Sequence, residues 1–167
     1  MEDGERSSAD LAQLVTGSRV VCWDRRRDIV YDEDGVIEKY GVPPASIPDW
    51  LALVGDSADG IPGVPAWGAK SASALLSRYG HLEAIPDDHL QWGLPPGRAL
   101  RLAENLKAHK EEAYLYRQLA TLRYDVPLKQ SLSDLVWRGA QMRLRELCAE
   151  LGDYYLPDQI ERWTAMQ

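Results

Sequence analysis

The stretch Gly55 to Ala72, GDSADGIPGVPAWGAKSA, decides how this chain is read. Asp56 and Asp59 stand three residues apart, a spacing that turns both carboxylates the same way on a helical turn. Hard oxygen ligands so placed suit Mg²⁺ or Mn²⁺. A turn rich in Gly and Pro follows through Trp67. A helix then opens at Gly68 with Lys70 and Ser71 in its first turn. Free backbone N–H groups at a helix N-terminus bind phosphate, and a neighbouring Lys adds charge. Each part also has a plainer reading. Asp caps turns and often precedes Gly, and Lys70 with Ser71 fits a solvated first turn with a capping hydroxyl.

Outward from this stretch the apolar pattern is mainly helical. Ser46 is placed to cap a helix carrying Ile47, Trp50, Leu51 and Val54 on one face. On the other side, Gly68 to Tyr79 sets Ala72, Leu75, Leu76 and Tyr79 on one stripe, and Gly80 ends it. Asp34 to Tyr40 is a helix stopped by Gly41. Arg98 to Leu122 contains neither Gly nor Pro and reads as two helices with a break near His109-Lys110. Residues 139–151 form a further helix ended by Gly152, and an amphipathic piece begins after Pro157. Upstream, ADLAQLV (9–15) is a short helix or loop entry. Arg19 to Trp23 and Ile29 to Tyr31 read as two short strands around the polar turn DRRRD. Two short strands are a poor sheet by themselves and leave an exposed edge.

The 167 residues, 45% of them hydrophobic, suffice for one domain with a sizeable core. No apolar run approaches a membrane span, and MEDGERSSAD lacks the apolar segment of a secretory signal. Cys22 and Cys148 are far apart and without metal-type spacing, as expected of reduced thiols. A net charge of −7 argues against a generic nucleic-acid binder, but its distribution softens the objection. Residues 1–67 carry 6 basic and 13 acidic side chains, residues 68–145 carry 12 and 8, and residues 146–167 carry 1 and 5. The middle is therefore positive, and binding follows local potential rather than the sum. Arg98, Arg101, Lys107 and Lys110 lie at helical offsets that suit either a face tracking a nucleic-acid backbone or a solvated basic surface. Trp67 could stack on a nucleic acid or plug a gap between helices. Arg25–Arg27 reads as a solvated turn. His81, His89 and His109 form no metal spacing and are assigned no role.

GDSADGIPGVPAWGAKSA resembles the signature of the bacterial 5'-nucleases, the flap-endonuclease-like 5'-3' exonucleases that include the nuclease domain joined to DNA polymerase I. DLAQLV with VVCWDRRR resembles the end of that family's catalytic domain, and YRQLATLRYDVPL resembles its later helical region. The resemblance covers roughly residues 9–151 and implies a helix-three-turn-helix region that grips duplex DNA. It implies metal binding by Asp56 and Asp59, with Asp10 matching the second acid of an Asp-x-Asp-x-x-Gln pattern and Gln13 its Gln. Ile61, Gly63, Val64, Gly68, Lys70 and Ser71 match the DNA-gripping hairpin and helix start, whose carbonyls in relatives can hold K⁺. There are three departures. Ser8 stands at the pattern's first acid, and Ala66 occupies a hairpin position that is usually Gly. The family's first acids, basic groups and DNA-threading arch have no counterpart here.

The expected fold is mainly α, a helix-three-turn-helix 5'-3' exonuclease C-terminal domain with a short two-strand α/β remnant. Residues 1–32 are assigned to the remnant, 33–151 to the DNA-binding domain and 152–167 to a helical tail. The expected function is the DNA-binding C-terminal portion of a metal-dependent 5'-3' exonuclease, bacterial and cytoplasmic, near the nucleoid. The isolated chain is expected to cut weakly or not at all. The expected partners are non-sequence-specific duplex DNA with a 5' end or flap and a catalytic-domain partner, without a membrane. Two rivals stand beside it. One is a non-catalytic structure-specific DNA-binding module using the hairpin alone, and the other a helical interaction protein with a degenerate hairpin.

Overall fold

The computed structural model describes residues 9–164; Ser8, at the altered acid position, lies outside them. The chain gathers into two compact units, Met1–Tyr124 and Asp125–Gln167.

In the first unit a 3-10 helix, Ala9–Leu14, precedes an antiparallel ribbon of β1 (Cys22–Asp24) and β2 (Ile29–Tyr31). Cys22 lies opposite Tyr31, and Asp24 opposite Ile29. The first strand begins at Cys22 rather than at Arg19. Thr16 and Val20 bridge each other around Gly17, whose φ is 52°, so the chain reaches the ladder only after that tight loop. The turn at the ribbon tip is tied down by Asp24, whose Oδ1 accepts from the amides of Arg26 (3.0 Å) and Arg27 (3.2 Å). Trp23 and Val30 are each 56% exposed, so the ribbon leaves apolar surface uncovered.

α1 (Glu33–Tyr40) starts on Asp32, which accepts from Gly35 N at 3.0 Å, and ends at left-handed Gly41. α2 (Ile47–Val54) begins differently from the expectation. Ser46 makes no side-chain cap; it closes a 3-10 turn, Pro44–Ser46, that runs directly into α2, and Pro48 fills the first turn without needing a donor. Nor is α2 one-faced. Ile47, Asp49, Leu51, Ala52 and Leu53 are all buried, because α3, α5 and the N-terminal 3-10 helix pack around it. The segment that follows α2 is therefore carried on the most enclosed helix of the unit.

α3 (Ala69–Tyr79) has the expected stripe, with Ala72, Leu75 and Leu76 buried and Tyr79 half-buried. α4 (Pro96–Ala108) and α5 (Lys110–Ala120) are separated at His109, whose φ of −117° and ψ of 30° interrupt the helix where the sequence suggests.

In the second unit a 3-10 turn, Leu132–Leu135, precedes α6 (Met142–Leu151), which Gly152 ends with a φ of 73°. The expected piece after Pro157 is instead a single turn, α7 (Tyr155–Asp158), that includes Pro157. No helix of the described residues is long and apolar enough to cross a membrane.

Candidate nucleic-acid interface

Asp56 and Asp59 do not lie on a helical turn. Ser57 to Gly60 form a tight turn closed by Asp56 and Ile61, which exchange N–H···O bonds of 2.8 Å each. Asp56 Oδ1 accepts from the amides of Ala58 (2.9 Å) and Asp59 (3.4 Å). A spacing of three fits an Asx turn as well as a helix, and the Gly at each end favours the turn. One oxygen of Asp56 is thus committed to shaping the loop. Its other oxygen makes no hydrogen bond among the described residues, and Asp59 is exposed. The turn borders an open cleft of about 490 Å³ lined by Val54, Gly55, Ser57, Gly60, Ile61 and Pro62.

The acidic turn and the hairpin after it form one folded piece. Gly55 (φ 88°) and Gly63 (φ 74°) lie backbone to backbone. A Cβ on Gly63 would meet Gly55 N at 2.6 Å and Val54 C and O at 2.7 Å, and one on Gly55 would meet Ile61 O at 2.8 Å. Only glycine fits this approach. Val64 N donates to Leu53 O (2.9 Å) and Trp67 N to Val64 O (3.1 Å), which folds the bend back against the end of α2.

The amides along the bend divide into two groups. Those of Ile61, Val64 and Ser71 are used internally, Ser71 N donating to Gly68 O at 2.9 Å. Those of Gly63, Ala66, Gly68, Ala69 and Lys70 meet no acceptor among the described residues. Ala69 and Lys70 are exposed. The side chains of Ile61 and Val64 are buried, so these two residues shape the bend while the glycines, Ala69 and Lys70 present it.

Ser71 does not face solvent as a first-turn hydroxyl would. Its side chain is 1% exposed, and its Oγ accepts from Arg98 Nη2 at 2.7 Å. Trp67, which in sequence fits two roles, is a plug. It is buried, donates from Nε1 to Leu102 O at 3.1 Å and lies 5.9 Å from the Trp92 ring. Arg98, Arg101, Lys107 and Lys110 are all exposed on α4 and the start of α5.

Among the described residues, no three His, Cys, Asp or Glu side chains come together as a metal-binding group, so Asp10 is not gathered with Asp56 and Asp59. Gln13 serves another purpose. Its Nε2 donates to Ala120 O (3.0 Å) and its Oε1 accepts from Leu122 N (3.0 Å), clamping the N-terminal 3-10 helix to the end of α5.

Sequence reasoning missed a charged cluster at the start of α2, the end of that helix away from the hairpin. Asp49, 2% exposed, accepts from Leu82 N (3.2 Å) and Arg117 Nη1 (3.2 Å) through Oδ1 and pairs with His81 Nδ1 (2.9 Å) through Oδ2. Arg117 also bonds Glu83. Burial opposes the charge on Arg117, but its carboxylate partners outweigh that effect and raise its pKa. Only the apolar surroundings of Asp49 in IPDWLALV hinted at this, since a buried carboxylate must find partners.

The acidic turn and the glycine-shaped bend after it lie within a stretch that matches a known family. The family described as "5'-3' exonuclease, C-terminal SAM fold" matches residues 42–143, and the chain belongs to it. It is 34% identical over 128 residues to a 5'-3' exonuclease from Buchnera aphidicola subsp. Acyrthosiphon pisum (strain APS), covering 76% of this chain and 44% of the relative. It is 39% identical over 134 residues to DNA polymerase I of Pseudomonas aeruginosa, covering 75% of this chain and 14% of the polymerase. The fold is also that of T5 5'-exonuclease, solved with divalent metal ions (zinc) bound. That match has a TM-score of 0.55 and 24% identity, and it spans 67% of this chain and 40% of the other. The chain thus corresponds to less than half the length of these relatives.

Proposed function

We propose that this chain is the DNA-binding portion of a metal-dependent 5'-3' exonuclease or flap endonuclease. The bend at residues 61–71 holds duplex phosphates without regard to sequence, and the acidic turn supplies part of the metal site. The observation that carries this reading is the joining of the two features. The Asp56–Ile61 pair and the Gly55–Gly63 approach tie the acidic turn to a bend with free amides at Gly63, Gly68, Ala69 and Lys70. Anionic ligands favour such amides at a helix start, and Lys70 adds charge beside them.

The donor set fits a divalent ion in part. Asp56, with one uncommitted oxygen, and exposed Asp59 are hard ligands of the kind Mg²⁺ or Mn²⁺ takes. Such ions activate water and stabilise the leaving oxygen of a phosphodiester when held as a pair. Two acids do not make that pair, and no cutting step is assigned to these residues alone. What they do alone is hold negative charge beside the bend and draw a cation to where a phosphate strand arrives. The carbonyls of Gly63, Pro65 and Ala66 accept no hydrogen bond among the described residues, which leaves them available to K⁺. The missing acids point to a catalytic-domain partner, within a longer chain or separate from it.

The second reading, a DNA-binding module without catalysis, is favoured by the placement of Asp10 apart from Asp56 and Asp59 among the described residues. A flap-release assay with Mn²⁺, with and without a catalytic half of a family exonuclease added, separates the two. The proposal expects tight flap binding by the chain alone and cutting only in the mixture. It also expects Asp56→Asn and Asp59→Asn to lose the cutting but not the binding. Binding without cutting in any mixture selects the module, and absence of DNA binding removes both readings.

A further inference from the structure

We infer that Arg98, on α4, makes a phosphate contact beside the hairpin and that Ser71 is its anchor. This rests on the proposal that the hairpin binds the DNA backbone, and it adds a residue from a different element, 27 positions along the chain from the serine that holds it.

Ser71 is buried in the first turn of α3, the same turn whose leading amides at Gly68, Ala69 and Lys70 lack acceptors among the described residues. Its hydroxyl holds Arg98 Nη2 at 2.7 Å, so the guanidinium is fixed at the N-terminal end of α3 rather than left to swing in solvent. The anchor is a neutral hydroxyl. Among the described residues no carboxylate forms an ion pair with Arg98, in contrast to Arg27 and Arg117, which pair with Asp24 and with Asp49 and Glu83. Most of the Arg98 donor fork therefore remains open. A planar fork held in place loses less freedom on binding than a Lys would, and it matches the oxygens of a phosphate. Arg98 is exposed, and Arg101 follows it on α4 within reach of the same strand. A purely structural arginine joining α3 to α4 would leave DNA binding unchanged on removal. A phosphate contact would not.

The test measures anisotropy of labelled duplexes of two unrelated sequences, titrated with the full chain from low to moderate KCl. Arg98→Gln is expected to weaken both duplexes alike and to reduce the magnitude of the log–log salt slope by about 0.9. Across a fourfold rise in salt that amounts to about 3.5-fold less loss of affinity than wild type shows. Arg98→Lys keeps the slope but binds more weakly than wild type. Ser71→Ala, with the charge intact and the anchor gone, behaves like Arg98→Lys. Lys70→Gln is the control for the hairpin itself. An unchanged slope in Arg98→Gln alongside a reduced slope in Lys70→Gln overturns the assignment of Arg98 and leaves the hairpin reading standing. Wild-type binding that ignores salt overturns both. Circular dichroism of each variant checks that the fold is retained. Should Arg98→Gln unfold, Arg98→Lys decides the matter, since wild-type affinity in that variant removes the fork-specific contact.

Discussion

Gly63 and Ala66 have nearly the same φ, 74° and 69°, yet exchanging their side chains should change stability in opposite directions. Ala66 is exposed and holds a left-handed φ that costs an L-residue about 1–2 kcal/mol. Ala66→Gly removes that strain but enlarges the freedom of the unfolded chain, worth about 0.4–1 kcal/mol against it. The net expectation is a gain of about 0.5–1 kcal/mol, or about 2–4 °C per kcal/mol in melting temperature for a chain of this size. At Gly63 the added Cβ meets the same left-handed penalty and also three backbone atoms of Val54 and Gly55 at 2.6–2.7 Å. Backbone cannot rotate away as a side chain can, so overpacking of about 1–3 kcal/mol adds to the strain. Gly63→Ala should therefore cost about 3 kcal/mol and separate the acidic turn from the bend. Urea melts of the two variants and the wild type read both signs directly. A destabilised Ala66→Gly variant, or a Gly63→Ala variant within about 1 kcal/mol of wild type, would refute this physical picture of the bend.

Asp49→Ala should destabilise the chain by about 3 kcal/mol in the same melts, since it strips Arg117, His81 and Leu82 N of a buried partner at once. Gln13→Ala leaves the Ala120 carbonyl and the Leu122 amide without partners and should cost about 2 kcal/mol; a neutral result would show that the clamp on α5 is not needed. Glu83 has its pKa held below the ordinary carboxylate value, first by a hydrogen bond from its own backbone amide and then by Arg117. Its contribution is complete above the ordinary carboxylate value and is lost as pH falls through the lowered one. Melting temperature followed downward from about pH 5 should therefore drop less steeply in Glu83→Gln than in wild type.

The bend is legible in the sequence because two of its glycines have no substitute. Gly55 and Gly63 are needed where backbones touch, and Gly68 opens α3, so punctuation alone locates the feature on which the proposed function rests. The helices around it are legible for a related reason. Gly41, Gly80 and Gly152 close α1, α3 and α6, and local chemistry sets those ends. What stays hidden depends on contacts that no local rule encodes. Asp49 meets His81 across 32 residues and Arg117 across 68, and the Ser71 hydroxyl meets Arg98 across 27. In the last case each residue suggests DNA by itself, but as an unrelated surface group. Read locally, Ser71 is a first-turn hydroxyl facing solvent, and only its burial in the folded unit turns it into an anchor. The acidic pair shows the converse. Its spacing of three does not mean a helix here, because Gly60 lets the chain turn back on Asp56 and commit one carboxylate oxygen to the turn. That commitment bears on function. An Asp56 rigidly held by two amides is positioned before any cation arrives, whereas Asp59 is free to adjust. If both act on a metal, Asp56→Asn, which preserves the turn, should affect only cation-dependent steps, while Asp56→Ala should also loosen the bend and weaken DNA binding.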